Sequence, residues 1–170
     1  MRLIKENDKD NWHLTQAVPR IEDFQRNLAT ANTMLWWLRS HPAIFSRALG
    51  LASNQLGLEG RVILVRNTTT KGFKVLINPR VGIVEYRKGA ERNLESCLSV
   101  KGDYKVDRWN SIHVVHEVIN LEDAEESNPV KKELLQANGG LAFVIQHEID
   151  HLNGILISKS ATSFYYKKNR

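Results

Sequence analysis

Gly139-Gly140-Leu141-Ala142-Phe143-Val144-Ile145-Gln146-His147-Glu148-Ile149-Asp150-His151-Leu152-Asn153-Gly154 is the stretch on which the reading of this chain turns. After the paired glycines, Val144, Ile145, Ile149 and Leu152 recur at helical spacing, no proline or glycine interrupts them, and Asn153-Gly154 supplies a stop. The spacing predicts a buried helix over 141–152. Within it, His147-Glu148-Ile149-Asp150-His151 fits H-E-x-x-H. Positions four apart share one helical face, so the two imidazoles can converge on one ion. Neutral imidazole suits a borderline divalent metal. Glu148, beside the first ligand, is placed to take a proton from an activated water and pass it to a leaving group. A surface helix that merely holds two histidines is the bland alternative. Ile145, Ile149 and Leu152 argue against it, since ionisable groups on a buried helix are rarely idle.

The third ligand has to come from elsewhere. Metzincin proteases continue as H-x-x-G-x-x-H; Gly154 matches that glycine, but the last histidine position is Ile157. Thermolysin-like proteases use a downstream glutamate, and residues 152–170 contain no Asp, Glu, His or Cys. Both layouts are excluded and the ligand must lie upstream. Cys97, His41, His113, His116 and several acids are the candidates. His113 and His116 have opposite parity on their expected strand and cannot face one site. Cys97, the sole cysteine, has no partner for an internal disulfide and is a buried thiol, a metal ligand or a reactive group. A thiolate with two imidazoles would leave one tetrahedral position open, as a catalytic centre requires.

Elsewhere the chain reads as one domain of mixed structure. After Pro19, the residues Ile21, Phe24, Leu28, Leu35 and Leu38 fall mostly on one helical face, widened by Trp36 and Trp37. His41 to Leu49 is a break with a turn or short helix. Val62 to Val65 and Val75 to Ile77 are expected strands joined by a turn at 67–72, the second ended by Pro79. Ile83 to Tyr86 and Ile112 to Ile119 are further strands, and 120–129 is an acidic surface loop. The fold class expected is α+β: mostly antiparallel strands around a buried helix carrying the H-E-x-x-H pattern, plus an N-terminal amphipathic helix. The four histidines outside that pattern, and the tryptophans, are assigned to structure or surface.

Composition narrows the class of function. The chain has 170 residues, 42% hydrophobic and 25% charged, which is the balance of one globular domain rather than a disordered chain. No run approaches the roughly 20 apolar residues of a membrane span. MRLIKENDKD is too charged for a secretory signal, so a cytoplasmic location is expected. The net charge is +5, and Lys159, Lys167, Lys168 and Arg170 meet no acidic residue after Asp150. A solvated tail accounts for this; contact with an RNA-rich partner is the sharper reading. No basic motif interleaved with aromatics makes nucleic-acid binding the main activity.

Three segments taken together resemble peptide deformylase, whose members carry G-Φ-G-Φ-A-A-x-Q, E-G-C-L-S and Q-H-E-x-D-H in this order. Here they read Ala48-Leu49-Gly50-Leu51-Ala52-Ser53-Asn54-Gln55, Glu95-Ser96-Cys97-Leu98-Ser99 and Gln146-His147-Glu148-Ile149-Asp150-His151. Leu76-Ile77-Asn78-Pro79 is similar too, and the likeness covers about residues 15–158. It implies a single deformylase-like domain over 1–170 that hydrolyses the N-formyl group from the formyl-methionine of nascent polypeptides. It implies Cys97, His147 and His151 as ligands to one divalent ion, usually Fe2+, with Zn2+, Ni2+ or Co2+ able to substitute, and Glu148 as general base and acid. Gln55 and the Leu98 N–H would stabilise the oxyanion. The backbone around Gly50 and Leu51 would pair with the peptide as an added strand, with Tyr104 edging its pocket. The expected partners are the formyl-methionyl nascent peptide and, through the basic C-terminal tail, the ribosome; no membrane contact is expected, and the protein should be a monomer. Ala48, Ser53 and Ser96 depart from the pattern. Serine at 96 is strained if that position needs positive φ, and a buried Ser53 hydroxyl needs a partner. Two other classes fit H-E-x-x-H: a zincin-like endopeptidase, which would not need Cys97, and a non-catalytic module with a closed structural metal.

Overall fold

The computed structural model describes residues 1–67, 69–84, 90–119, 130–161 and 163–165. Two antiparallel sheets carry the architecture. The larger has the order β1-β2-β3-β6-β7, formed by Gly50–Ala52, Val62–Arg66, Phe73–Val84, Ser111–Ile119 and Val130–Asn138. The smaller has the order β4-β5-β8, formed by Ala90–Ser96, Asp103–Trp109 and Ser163–Tyr165.

Strand β2 shows how the layers arise. Val62, Ile63, Leu64 and Val65 are all buried, as a strand covered on both faces requires. Ile63 and Val65 pack with Ala142, Ile145, Ile149 and Leu152 of helix α4, Gly140–Leu152. Val62 and Leu64 turn the other way, onto Met34, Trp37 and Leu38 of helix α2, Phe24–Arg39. The sheet thus lies between two helices, and β2 alternates between two cores.

Helix α2 begins at Phe24, not just after Pro19, because the Asp23 carboxylate accepts from the Arg26 N–H and caps it there. Its buried face is Phe24, Asn27, Ala31, Met34, Trp37 and Leu38. Trp36, expected to widen that face, is 65% exposed and does not. Pro42 opens the short helix α3, Pro42–Phe45.

Strand β3 does not stop at Pro79. Its register with β6 slips between Ile77 and Arg80, and Asn78 takes φ 48, so the proline that cannot donate is absorbed by a bulge. Tyr86, the acidic loop at 120–129 and the tail residues Lys167, Lys168 and Arg170 lie outside the described residues. Strands β4, β5 and β7 carry little apolar alternation; of β7 only Ala137 is buried. They are ordered by pairing with their neighbours rather than by a hydrophobic pattern of their own. Among the described residues, no helix is long and apolar enough to cross a membrane.

Candidate active site

Helix α4 ends at Leu152 because Gly154 takes φ 74 against Thr15, where a Cβ would stand 2.8 Å from that residue's carbonyl. One turn before this stop, His147 and His151 project from the buried side of α4, with ring centroids 4.9 Å apart and nearly perpendicular. Cys97 follows β4 and brings its Sγ to 3.2 Å from His151 Nε2. The ligand atoms of Cys97, His147 and His151 all lie within 4.8 Å of one another.

A chain of charges orients the first histidine. Glu95 Oε2 accepts from His147 Nδ1 at 2.9 Å, which leaves Nε2 as the nitrogen for an ion. Glu95 is itself held by the Arg108 fork, Nε to Oε1 at 2.8 Å and Nη2 to Oε2 at 3.0 Å. Arg108 Nη1 reaches Asp150 Oδ2 on α4 at 2.5 Å. Burial works against the charge of Glu95, but the His147 and Arg108 contacts outweigh it and bring its pKa down to about 2. Neither Glu95 nor Arg108 had a role in the sequence reading. Glu95 stands two residues before Cys97, and a carboxylate buried there needs a cation, which is the signal that could have found both.

The site is built for positive charge. Burial opposes a charged His147, yet Cys97 and Glu95 lift its pKa to about 10; the same neighbours favour a cation in that place. His151, fully buried beside His147, is pushed well below its usual value and stays neutral, as a ligand should. A thiolate and two imidazoles, converging with one carboxylate behind them, would suit a divalent metal ion of borderline softness.

Glu148 is buried with Oε2 unpartnered, and burial lifts its pKa to about 7 before any cation is counted. A Cβ on Gly50 would stand 2.4 Å from Glu148 Oε1, so only glycine lets β1 pass there. Gln55 accepts the Ala52 N–H on Oε1 at 2.9 Å, which settles the orientation of its amide. Its Nε2 donates to Ser99 Oγ at 3.0 Å and lies 3.9 Å from Cys97 Sγ. The Leu98 carbonyl accepts from Lys5 Nζ at 2.5 Å, and the Ser99 N–H meets Cys97 Sγ at 3.3 Å.

A cavity of 1290 Å³ opens over these groups, lined by Gly50, Gln55, Cys97, Leu98, His147 and Glu148 among others. His151 is buried beside Cys97 and does not line the cavity. Neither Leu51 nor Tyr104 lines the cavity with its side chain. Leu51 is fully buried in the core beside α2, so only its backbone could meet a ligand. Tyr104 is buried in a cluster with Val100, Val106 and Leu156, against which Cys97 packs, its hydroxyl donating to the Lys101 carbonyl at 3.1 Å. Phe143 lines the cavity, and so does Val144, whose spacing placed it with the buried residues of the helix and which also packs against the core.

The three altered motif positions are accommodated. Ser96 ends β4 in register with Asp103 and has no positive φ. The buried Ser53 hydroxyl donates to the Gly60 carbonyl at 2.6 Å. Ala48 is buried at the cavity wall.

Comparison with known proteins agrees with this geometry. The family model described as Polypeptide deformylase matches residues 2–165. Peptide deformylase 1 of Bacillus cereus is 36% identical over 123 residues, covering 72% of this chain and 71% of that protein. Among solved structures, a peptide deformylase from Synechococcus elongatus in complex with actinonin superposes with a TM-score of 0.74 at 26% identity, over 96% of this chain and 79% of that one. A deformylase from the Vibrio parahaemolyticus bacteriophage VP16T, also with actinonin, gives 0.69 at 26% identity, over 92% of this chain and 100% of that one. The chain belongs to the polypeptide deformylase family, metal-dependent hydrolases that remove the N-formyl group from nascent polypeptides.

Proposed function

We propose that Cys97, His147 and His151 hold a single divalent cation, ferrous iron by preference, with Zn2+, Ni2+ or Co2+ able to replace it. Glu148 is the proton carrier, and Gln55 with the Leu98 N–H form the oxyanion donors. The convergence of three ligand atoms within 4.8 Å, beside an unpartnered buried carboxylate oxygen of Glu148, carries this reading. When bound, the cation supplies Lewis acidity toward water and the formyl oxygen.

The residues divide the remaining work. Glu148 Oε2 accepts a proton from the attacking water and returns it to the departing amine; its poised pKa suits both directions. The Gln55 amide is fixed by the Ala52 N–H on Oε1 and by Ser99 on Nε2, so the other Nε2 N–H, 3.9 Å from Cys97 Sγ, needs little reorganisation as charge develops on oxygen. Strand β1 stands at the edge of its sheet, and its free side beside Gly50 accepts the peptide as an added strand. Phe143 and Val144, one turn before His147, offer an apolar wall to the methionine side chain.

Residues 1–170 are read as one domain acting as a monomer in the cytoplasm, where formylated chains emerge. Contact with the ribosome through the basic tail, Lys167, Lys168 and Arg170, belongs to the same proposal. The test is Glu148→Gln. Metal content should stay at one ion per chain while formate release from formyl-Met peptides falls by about 10³-fold or more. Turnover that persists in this variant removes Glu148 from its role.

A further inference from the structure

Helix α4 has a second cavity, about 760 Å³, against a face that includes Gln146, Ile149 and Asp150. Four guanidinium groups line it, those of Arg20, Arg61, Arg80 and Arg108, against a single carboxylate, Asp150. Two of the four are answered. Arg20 pairs with Glu117 at 2.6 Å and Glu22 at 3.0 Å, and Arg108 is shared between Glu95 and Asp150. Arg61 is not: it donates to the Val18 and Leu152 carbonyls and to Asn153 Oδ1, all neutral oxygens. Arg80 makes no ion pair or side-chain hydrogen bond among the described residues.

Arg61 and Arg80 feel one another. Burial, and then the charge of Arg80, push the Arg61 guanidinium below its usual value. Arg80, exposed at the cavity rim, directly follows the β3 bulge, where the register slips between Ile77 and Arg80 and Asn78 takes φ 48. Bulges re-aim side chains and recur beside functional sites. Two like charges that sense one another at one cavity, neither ion-paired among the described residues, cost stability that a bound anion would return.

We propose that this cavity is a phosphate-binding site anchored by Arg61 and Arg80, taking the phosphate of a small ester or of an RNA backbone. Planar guanidinium forks match phosphate oxygens two at a time. Trp109, on the same wall, supplies a flat surface on which a base or an organic group can stack.

The test uses the full chain loaded with zinc, titrated at low salt with inorganic phosphate and, separately, with a short oligouridylate. The indole N–H resonance of Trp109 reports occupancy. At least one probe should shift it saturably. Arg80→Glu, with its fold checked by circular dichroism, should weaken binding by about tenfold or more, and Arg80→Lys by less, since charge stays and the fork is lost. Saturation by phosphate alone identifies a small ester as the ligand. Tighter binding of the oligonucleotide, with a salt slope reduced by about one in Arg80→Glu, identifies an RNA backbone. No saturable shift with either probe below about 10 mM, or wild-type affinity in Arg80→Glu, overturns the proposal.

Discussion

Gly50 and Glu148 are in contact across the gap between β1 and α4, so closely that a Cβ on Gly50 would stand 2.4 Å from Glu148 Oε1 and 2.7 Å from its Cγ. The absence of a side chain at position 50 is what lets the carboxylate sit under the cavity.

Gly50→Ala should therefore displace Glu148 without touching a ligand. Metal content should be kept while formate release falls by about 10²-fold, the scale expected when a reacting group is misplaced by an ångström. Wild-type turnover with metal bound would show that Glu148 has room to move.

Glu95→Gln tests the charge chain behind His147. Arg108 loses its buried counter-charge, so stability should fall by about 3 kcal/mol, and metal affinity should fall by about 10–100-fold as His147 loses its anchor. The pH dependence follows from the depressed pKa of about 2 against an ordinary 4.5. Stabilisation by Glu95 is fully present above pH 4.5 and is lost as pH falls toward 2. Denaturant melts across this window should show an acid limb in the wild type that is flatter in Glu95→Gln. Parallel limbs would mean that Glu95 titrates normally.

Gln55→Ala should lower kcat by about 10²-fold with KM little changed, since its amide acts on charge that appears only during the reaction. A rise in KM at constant kcat would instead make Gln55 a ground-state contact.

Gly154→Ala addresses the stop of α4. Positive φ combined with a Cβ 2.8 Å from the Thr15 carbonyl should cost about 2 kcal/mol and lower the melting midpoint by roughly 5 °C. An unchanged midpoint would show that the turn relaxes freely.

The legible parts of this protein were those with strong local patterns. His147, Glu148 and His151 announce themselves through spacing on one helix face. β2 does so through a continuous apolar run and β6 through apolar alternation. Cys97 could be weighed because nothing after His151 can ligate. What escaped was set by long-range pairing. β4, β5 and β7 present mostly polar side chains, and β3 runs through Pro79 on a bulge that no propensity signals. Glu95 stands opposite Tyr104 and Arg108 opposite Glu91, so their ion pair is made along one face of the β4–β5 pair by a long side chain, a relation that a linear reading does not contain. Tyr104 was drawn to the pocket by its closeness to Cys97 in sequence, but the intervening turn folds it into another core.

Helix α4 carries Ala142, Ile145 and Leu152 in the core and His147, Glu148 and His151 in the site on the same few turns. Drift in this lineage is accordingly doubly constrained. A change tolerated by folding but shifting the helix axis is still visible to selection through turnover. Substitutions should therefore accumulate on the exposed strand β7 long before they reach α4.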